Sequence, residues 1–129
     1  MYEVLLGRSG VEVSGVCLGT DYYGSRTSPE TAFRLLDRFA DHGGTFVDTA
    51  NIYACWIPGF VGGESETVIG DWMASRHSRD RMVVATKVGG SYNACAGGLR
   101  AVDIERECER SLRRLGDGDD RRLLRPLRG

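Results

Sequence analysis

Three short apolar runs, each followed by a stretch of helical periodicity, constrain the fold of this chain more than any other feature. The runs are Val16-Cys17-Leu18-Gly19, Thr45-Phe46-Val47-Asp48 and Arg81-Met82-Val83-Val84-Ala85-Thr86-Lys87. Near-continuous apolar runs of this length suit strands covered on both faces, the condition of a parallel sheet. The stretches between them read as helices. Ser28-Pro29-Glu30 is a helix start: Ser can cap, Pro at the first helical position loses no needed N–H, and Glu favours the positive end. Ala32, Phe33, Leu35, Leu36, Phe39 and Ala40 then form one apolar face, which packs as core, and Gly43-Gly44 stops the helix. Glu64 to Ser75 reads as a second helix with Val68, Ile69, Trp72 and Met73 inward. Asp103 opens a third, with Ile104, Cys108, Leu112 and Leu115 on one face and Gly116 at its end. Ahead of all this, Val4 to Val13 alternates around Gly7-Arg8-Ser9-Gly10, a β-hairpin signal. The order is hairpin, βα, βα, βα, which predicts an α/β fold with a parallel sheet.

Two of the runs end in a charge. Asp48 closes one and Lys87 the other, and loops leaving the carboxyl ends of parallel strands carry chemistry on a rigid base. Lys87 is the only lysine in a chain whose other basic residues, histidine aside, are arginines. Such a choice suggests a site that needs a compact ammonium. Consecutive parallel strands usually neighbour each other, so Asp48 and Lys87 are expected to meet, with Tyr53 beside them. A phenol titrates near ~10; an adjacent ammonium is expected to lower that value and make Tyr53 a usable proton donor. The loop Ala54-Cys55-Trp56-Ile57-Pro58-Gly59-Phe60-Val61 is more apolar than solvent favours, and Trp56 is the preferred wall of a substrate pocket; packing of the loop on its own fold is the competing reading.

Four segments, in this order and spacing, resemble the amino-terminal part of the aldo-keto reductases. They are Phe46-Val47-Asp48-Thr49-Ala50-Asn51-Ile52-Tyr53, Gly63-Glu64-Ser65-Glu66-Thr67-Val68-Ile69-Gly70, Val84-Ala85-Thr86-Lys87 and Ser111-Leu112-Arg113-Arg114-Leu115. The resemblance runs from about Leu6 to Gly116. It implies an incomplete TIM (β/α)8 barrel, an amino-terminal hairpin plus about three βα units, since a whole barrel takes about 250 residues and this chain has 129. It also implies NADPH as cofactor and reduction of an aldehyde or ketone, or the reverse alcohol oxidation. The catalytic Asp, Tyr and Lys of the family fall on Asp48, Tyr53 and Lys87. Gly19 and Thr20, after the first barrel strand, become cofactor-contacting candidates with Asp48, an ordinary glycine turn being the competing reading; Tyr53 and Trp56 become the substrate pocket. The tetrad histidine expected after the next strand is absent here. His42 and His77 sit at a helix end and in a polar link and read as structural.

Bulk properties exclude several classes. A net charge of −1 argues against nucleic acid or an anionic membrane as partner. Cys17, Cys55, Cys95 and Cys108 lack CxxC or Cys/His spacing, so no metal is expected and reduced thiols in a cytoplasmic protein are the reading. Gly89-Gly90 and Gly97-Gly98 bracket a small-residue loop without GxGxxG spacing.

Residues 1–116 therefore read as one family part, and residues 117–129 as a tail outside it. The tail is too charged for a central strand. Arg121 to Gly129 can be back-translated so that a shifted frame reads Val-Asp-Phe-Tyr-Ala-His-Tyr-Glu, a strand with a histidine near its end, which favours a frameshift. Two readings follow: an oxidoreductase lineage acting on a small carbonyl compound, or a truncated, non-catalytic product that self-associates through an open barrel edge.

Overall fold

Polar turn residues between alternating apolar positions bend the chain back on itself at once. In the computed structural model, which describes residues 1–90 and 98–116, β1 (Glu3–Leu5) and β2 (Glu12–Ser14) pair antiparallel, Val4 opposite Val13. The rest alternates as β3 (Cys17–Gly19), α1 (Pro29–Asp41), β4 (Phe46–Asp48), α2 (Glu64–Arg76), β5 (Val83–Ala85) and α3 (Ala101–Arg114). The last three strands form one parallel sheet in the order β3-β4-β5. A hydroxyl seam joins hairpin to sheet: Ser14 Oγ accepts from the N–H groups of Thr45 (3.0 Å) and Phe46 (3.2 Å), and Ser14 N–H donates to Thr45 Oγ1 (2.8 Å).

The register divides the sheet by face. Leu18, Val47 and Val84 are aligned, as are Cys17, Phe46 and Val83 on one side and Gly19, Asp48 and Ala85 on the other. With a period of two, the middle row faces one way and the outer rows the other. Val47 is fully buried, and with Leu18 and Val84 it packs on a core that includes Ala32, Leu36, Val68, Ile69, Trp72, Met73, Met82 and Leu115. The opposite face, carrying Cys17, Gly19 and Asp48, is open, with Cys17 and Gly19 exposed.

Helix starts and helix pairing follow local chemistry. Ser28 Oγ accepts from the N–H of Thr31 at 3.3 Å and Pro29 opens α1. Asp37 on α1 takes Trp72 Nε1–H at 2.8 Å and a fork from Arg76 at 2.9 Å per bond, clamping α1 to α2. Where α2 meets α3, a Cβ at Gly70 would collide with the Arg114 carbonyl, so glycine permits the approach.

Several expectations change. Leu35 is 47% exposed rather than core, because α1 turns Ala32 and Leu36 inward. On α3 the covered face is Asp103, Glu107, Ser111 and Leu115, while Ile104 is exposed and Cys108 and Leu112 are half-buried. The polar contacts of Glu107 and Arg114 with the body rotate α3 by about one residue from its apolar stripe. Cys17 and Cys108 are free thiols, but Cys55 is disulfide-bonded, which departs from four reduced cysteines. Ser78, in the link expected to be solvated, is buried. Most of the glycine-bracketed loop and the tail from 117 lie outside the described residues. Among the described residues no helix is long and apolar enough to cross a membrane.

Candidate active site

Parallel pairing continues past the ends of the strands and builds the site. Thr49 N–H donates to the Ala85 carbonyl (2.9 Å) and Asn51 N–H to the Lys87 carbonyl (3.2 Å), so the segment after β4 runs beside the segment after β5. Lys87 is thereby set next to Asp48. Its Nζ donates to Asp48 Oδ1 (2.8 Å), Asp48 Oδ2 (2.7 Å) and the Thr49 carbonyl (2.7 Å). Five residues beyond Asp48, Tyr53 returns over the same carboxylate and donates its hydroxyl to Oδ2 at 3.1 Å. The ammonium also stands 4.9 Å from the Tyr53 ring centre. Asp48, Tyr53 and Lys87 thus form one hydrogen-bonded group on the open face at the carboxyl rim.

The electrostatics differ from the expected phenol. The pKa of Tyr53 is raised, not lowered: burial penalises the phenolate most, and although the Lys87 bond pulls downward, the Asp48 carboxylate favours the protonated hydroxyl. For Lys87, burial is the largest influence and lowers its pKa, but the bonds and charges of Asp48 and Tyr53 together raise it. The site therefore holds an ammonium, and a phenol keeping its proton well into alkaline pH. Sequence reasoning missed this because it placed the ammonium on the phenol, whereas the carboxylate claims both.

Aromatic rings continue from Tyr53. Trp56 lies edge-on to it, 6.1 Å between centroids at 72°, and Tyr22 lies edge-on to Trp56 at 6.5 Å and 84°. Trp56 is half-buried, and it packs on the fold while presenting a ring beside Tyr53. Tyr22 was not anticipated; an aromatic three residues past a strand end was the available signal. Gly19 is exposed in register with Asp48, and a Cβ there would have only Asp21 Oδ2 near it, at 3.8 Å. Thr20 faces inward instead. Its hydroxyl donates to the Asp48 carbonyl (2.9 Å) and lies 2.7 Å from Ser65 Oγ, which also accepts from Thr49 Oγ1 (2.9 Å). These buried hydroxyls tie β3, the segment after β4 and the start of α2 beneath the site.

A second layer comes from the Gly-Glu-Ser-Glu and Ser-Leu-Arg-Arg-Leu segments. Glu66, fully buried, pairs with Arg114 at 2.6 Å and accepts from Thr86 Oγ1 at 2.6 Å, next to Lys87. Asn51 Nδ2 donates to Glu107 Oε2 at 3.3 Å, holding the Asp48–Tyr53 segment to α3. His42 Nδ1 lies 2.8 Å from the Arg38 carbonyl and His77 ends α2 in a left-handed conformation (φ 49°), so both stand at helix ends that lead into strands, away from the rim. A cavity of about 360 Å³, lined by Pro29, Phe33, Thr67, Asp71 and Arg114 among others, lies between the first turns of α1 and α2 and the last residue of α3 and is lined by none of Asp48, Tyr53 and Lys87.

Comparison with known proteins gives one family. The model of the aldo/keto reductase family matches residues 15–120. A norsolorinic acid reductase of Emericella nidulans is 44% identical over 98 residues, covering 70% of this chain and 24% of that protein. YrpG of Bacillus subtilis, an uncharacterized oxidoreductase, is 42% identical over 125 residues, covering 89% of this chain and 36% of that protein. The solved holo form of an aldo-keto reductase from Bacillus halodurans superposes with a TM-score of 0.72 at 28% identity, over 90% of this chain and 37% of the other. The chain spans between about a quarter and just over a third of these two curated relatives.

Proposed function

This chain belongs to the aldo/keto reductase family, and from that premise we propose that it carries the amino-terminal share of a site reducing an aldehyde or ketone with NADPH, or oxidising the alcohol in reverse. The observation that supports this most is the single carboxylate, Asp48, bonded to both the Tyr53 hydroxyl and the Lys87 ammonium. Tyr53 is the proton donor. In the resting arrangement its proton is bonded to Asp48, and a carbonyl oxygen bound over the rim competes for it as acceptor. Lys87 stabilises the phenolate left behind, and Asp48 holds Lys87 in place.

The bound nicotinamide supplies the hydride. Gly19 and Asp48 are the residues of this chain that would hold it: they are adjacent on the open face, and little besides Asp21 fills the space a side chain at Gly19 would take. The Thr20 hydroxyl, spent inward, supports that rim rather than lining it. Tyr53 and Trp56 form the substrate wall. We read residues 1–116 as the family part and 117–129 as a tail outside its motifs, with the family match itself reaching residue 120.

The test is NADPH oxidation with an aromatic aldehyde such as benzaldehyde, comparing the chain with Tyr53→Phe. The expected result is a loss of about 10²-fold or more in turnover. Equal, measurable activity in the two proteins would remove Tyr53 as the donor, and no turnover in either would favour the non-catalytic reading below.

A second reading, a non-catalytic chain that persists by pairing with another, is favoured by Val16, Leu35, Leu99 and Val102, which are 50%, 47%, 74% and 57% exposed. Gel filtration separates the two: a monomer that oxidises NADPH against a carbonyl compound sinks this reading.

A further inference from the structure

The aromatic row that begins at Tyr53 ends on a cation. The Arg26 guanidinium lies over the Tyr22 ring, 5.2 Å from its centroid. Both residues project from one tight loop, closed by Thr27 N–H to the Tyr22 carbonyl (2.9 Å), Gly24 N–H to the Thr27 carbonyl (2.9 Å) and Ser25 N–H to the Tyr22 carbonyl (3.1 Å). The guanidinium is thus held by a built turn and an aromatic face. Among the described residues it makes no ion pair, whereas Lys87, the cation at the other end, is engaged by Asp48.

We propose that Arg26, stacked on Tyr22 at the far end of the row from Tyr53, is an anion-recognising position that selects flat aromatic carbonyl compounds bearing a carboxylate. Successive rings stand nearly perpendicular, so a flat apolar skeleton along the row meets alternating ring faces and edges, and a guanidinium grips a carboxylate through two parallel bonds. The spacing sets the ligand's size. Trp56 stands 6.1 Å from Tyr53 and 6.5 Å from Tyr22, so Trp56 intervenes in the run of ring contacts that leads to Arg26, and a fused-ring skeleton is the size proposed. The carbonyl end of this ligand rests on the reductase reading; the anionic end does not.

Equilibrium dialysis of the full chain at low ionic strength, with 2-naphthoate and its neutral counterpart 2-naphthamide, tests the anionic end without turnover. Quenching of Trp56 fluorescence gives a second readout, because Trp72 is only 1% exposed. The acid is expected to bind about tenfold more tightly than the amide. Arg26→Gln, a change at an exposed position, is expected to bring the two affinities together while leaving the amide unchanged, and inorganic phosphate at equal concentration is expected to displace neither. Equal binding of acid and amide by the unaltered chain overturns the proposal, as does a preference that survives Arg26→Gln. Displacement by phosphate also overturns it, in favour of a general anion site. Tyr53→Phe is expected to keep the preference for the acid. If the preference holds and no carbonyl reduction is found, the reductase reading fails while the Arg26 position stands.

Discussion

Lys87 and Tyr53 both have folded-state pKa values above their ordinary ones, so the fold prefers each in its protonated form. A raised value contributes stability that is fully present below the unfolded pKa, roughly 10 for both groups, and is lost as pH rises through the folded value. Asp37 and Glu107 have the opposite sign. Arg76 and then Trp72 hold Asp37 below the usual carboxylate range; at Glu107 burial pushes upward, but Arg106, Asn51 and Arg110 together pull it down. Their contribution is present above roughly 4 and is lost as pH falls through the folded values. The urea midpoint, followed by circular dichroism, is therefore expected to be flat from about pH 5 to 9 and to fall on both sides. Lys87→Met is expected to remove the lysine's share of the alkaline limb while keeping that of Tyr53, whose pKa the ammonium pulls down, and to leave the acid limb unchanged. A midpoint that already declines between about pH 6 and 8 would contradict these assignments. The alkaline effect is expected to be small, because the Lys87 side chain is 50% exposed and solvent screens its pair.

At the scale of elements, Glu66 is the point where α2, α3 and the segment after β5 meet. Its fully buried carboxylate is answered by Arg114 and Thr86 alone among the described residues. Removing one partner of a buried pair leaves a charge without compensation. Arg114→Ala is expected to lower unfolding free energy by about 3 kcal/mol, the lower end of the usual range, since the Arg114 side chain is 27% exposed. Arg113→Ala serves as the control: its nearest acid, Glu109, is 3.9 Å away with both side chains more than 60% exposed, and an effect within about 0.5 kcal/mol is expected. Similar losses in the two variants, measured by urea unfolding, would show that α3 is not anchored through Glu66. The same anchor explains why α3 covers Asp103, Glu107 and Ser111 and leaves Ile104 outside.

For the molecule as a whole, the three-stranded sheet has two outer strands, β3 and β5, each paired on one side only among the described residues. Unpaired edges beside exposed apolar groups promote association. Sedimentation velocity is expected to show a weight-average coefficient that rises with concentration, and Val16→Lys, beside the β3 edge, to shift the chain toward monomer. A coefficient independent of concentration would mean that the edges are too short to pair.

The chain's own residues determined the element order, the capped start of α1, the buried role of Trp72 and the meeting of Asp48 with Lys87. All of these follow from local periodicity, cap chemistry and the adjacency of consecutive parallel strands. Side-chain direction within that frame needed the tertiary structure. The raised Tyr53 pKa depends on which of two neighbours the hydroxyl bonds and on how much water remains. The rotation of α3 depends on two polar contacts more than fifty and nearly fifty residues apart in sequence, Asn51 with Glu107 and Glu66 with Arg114. The inward turn of Thr20 depends on Ser65, and the row from Tyr53 to Arg26 on two loops that meet only once the strands are paired. Periodicity reports which face of an element is apolar; it does not report which polar groups on other elements will claim it.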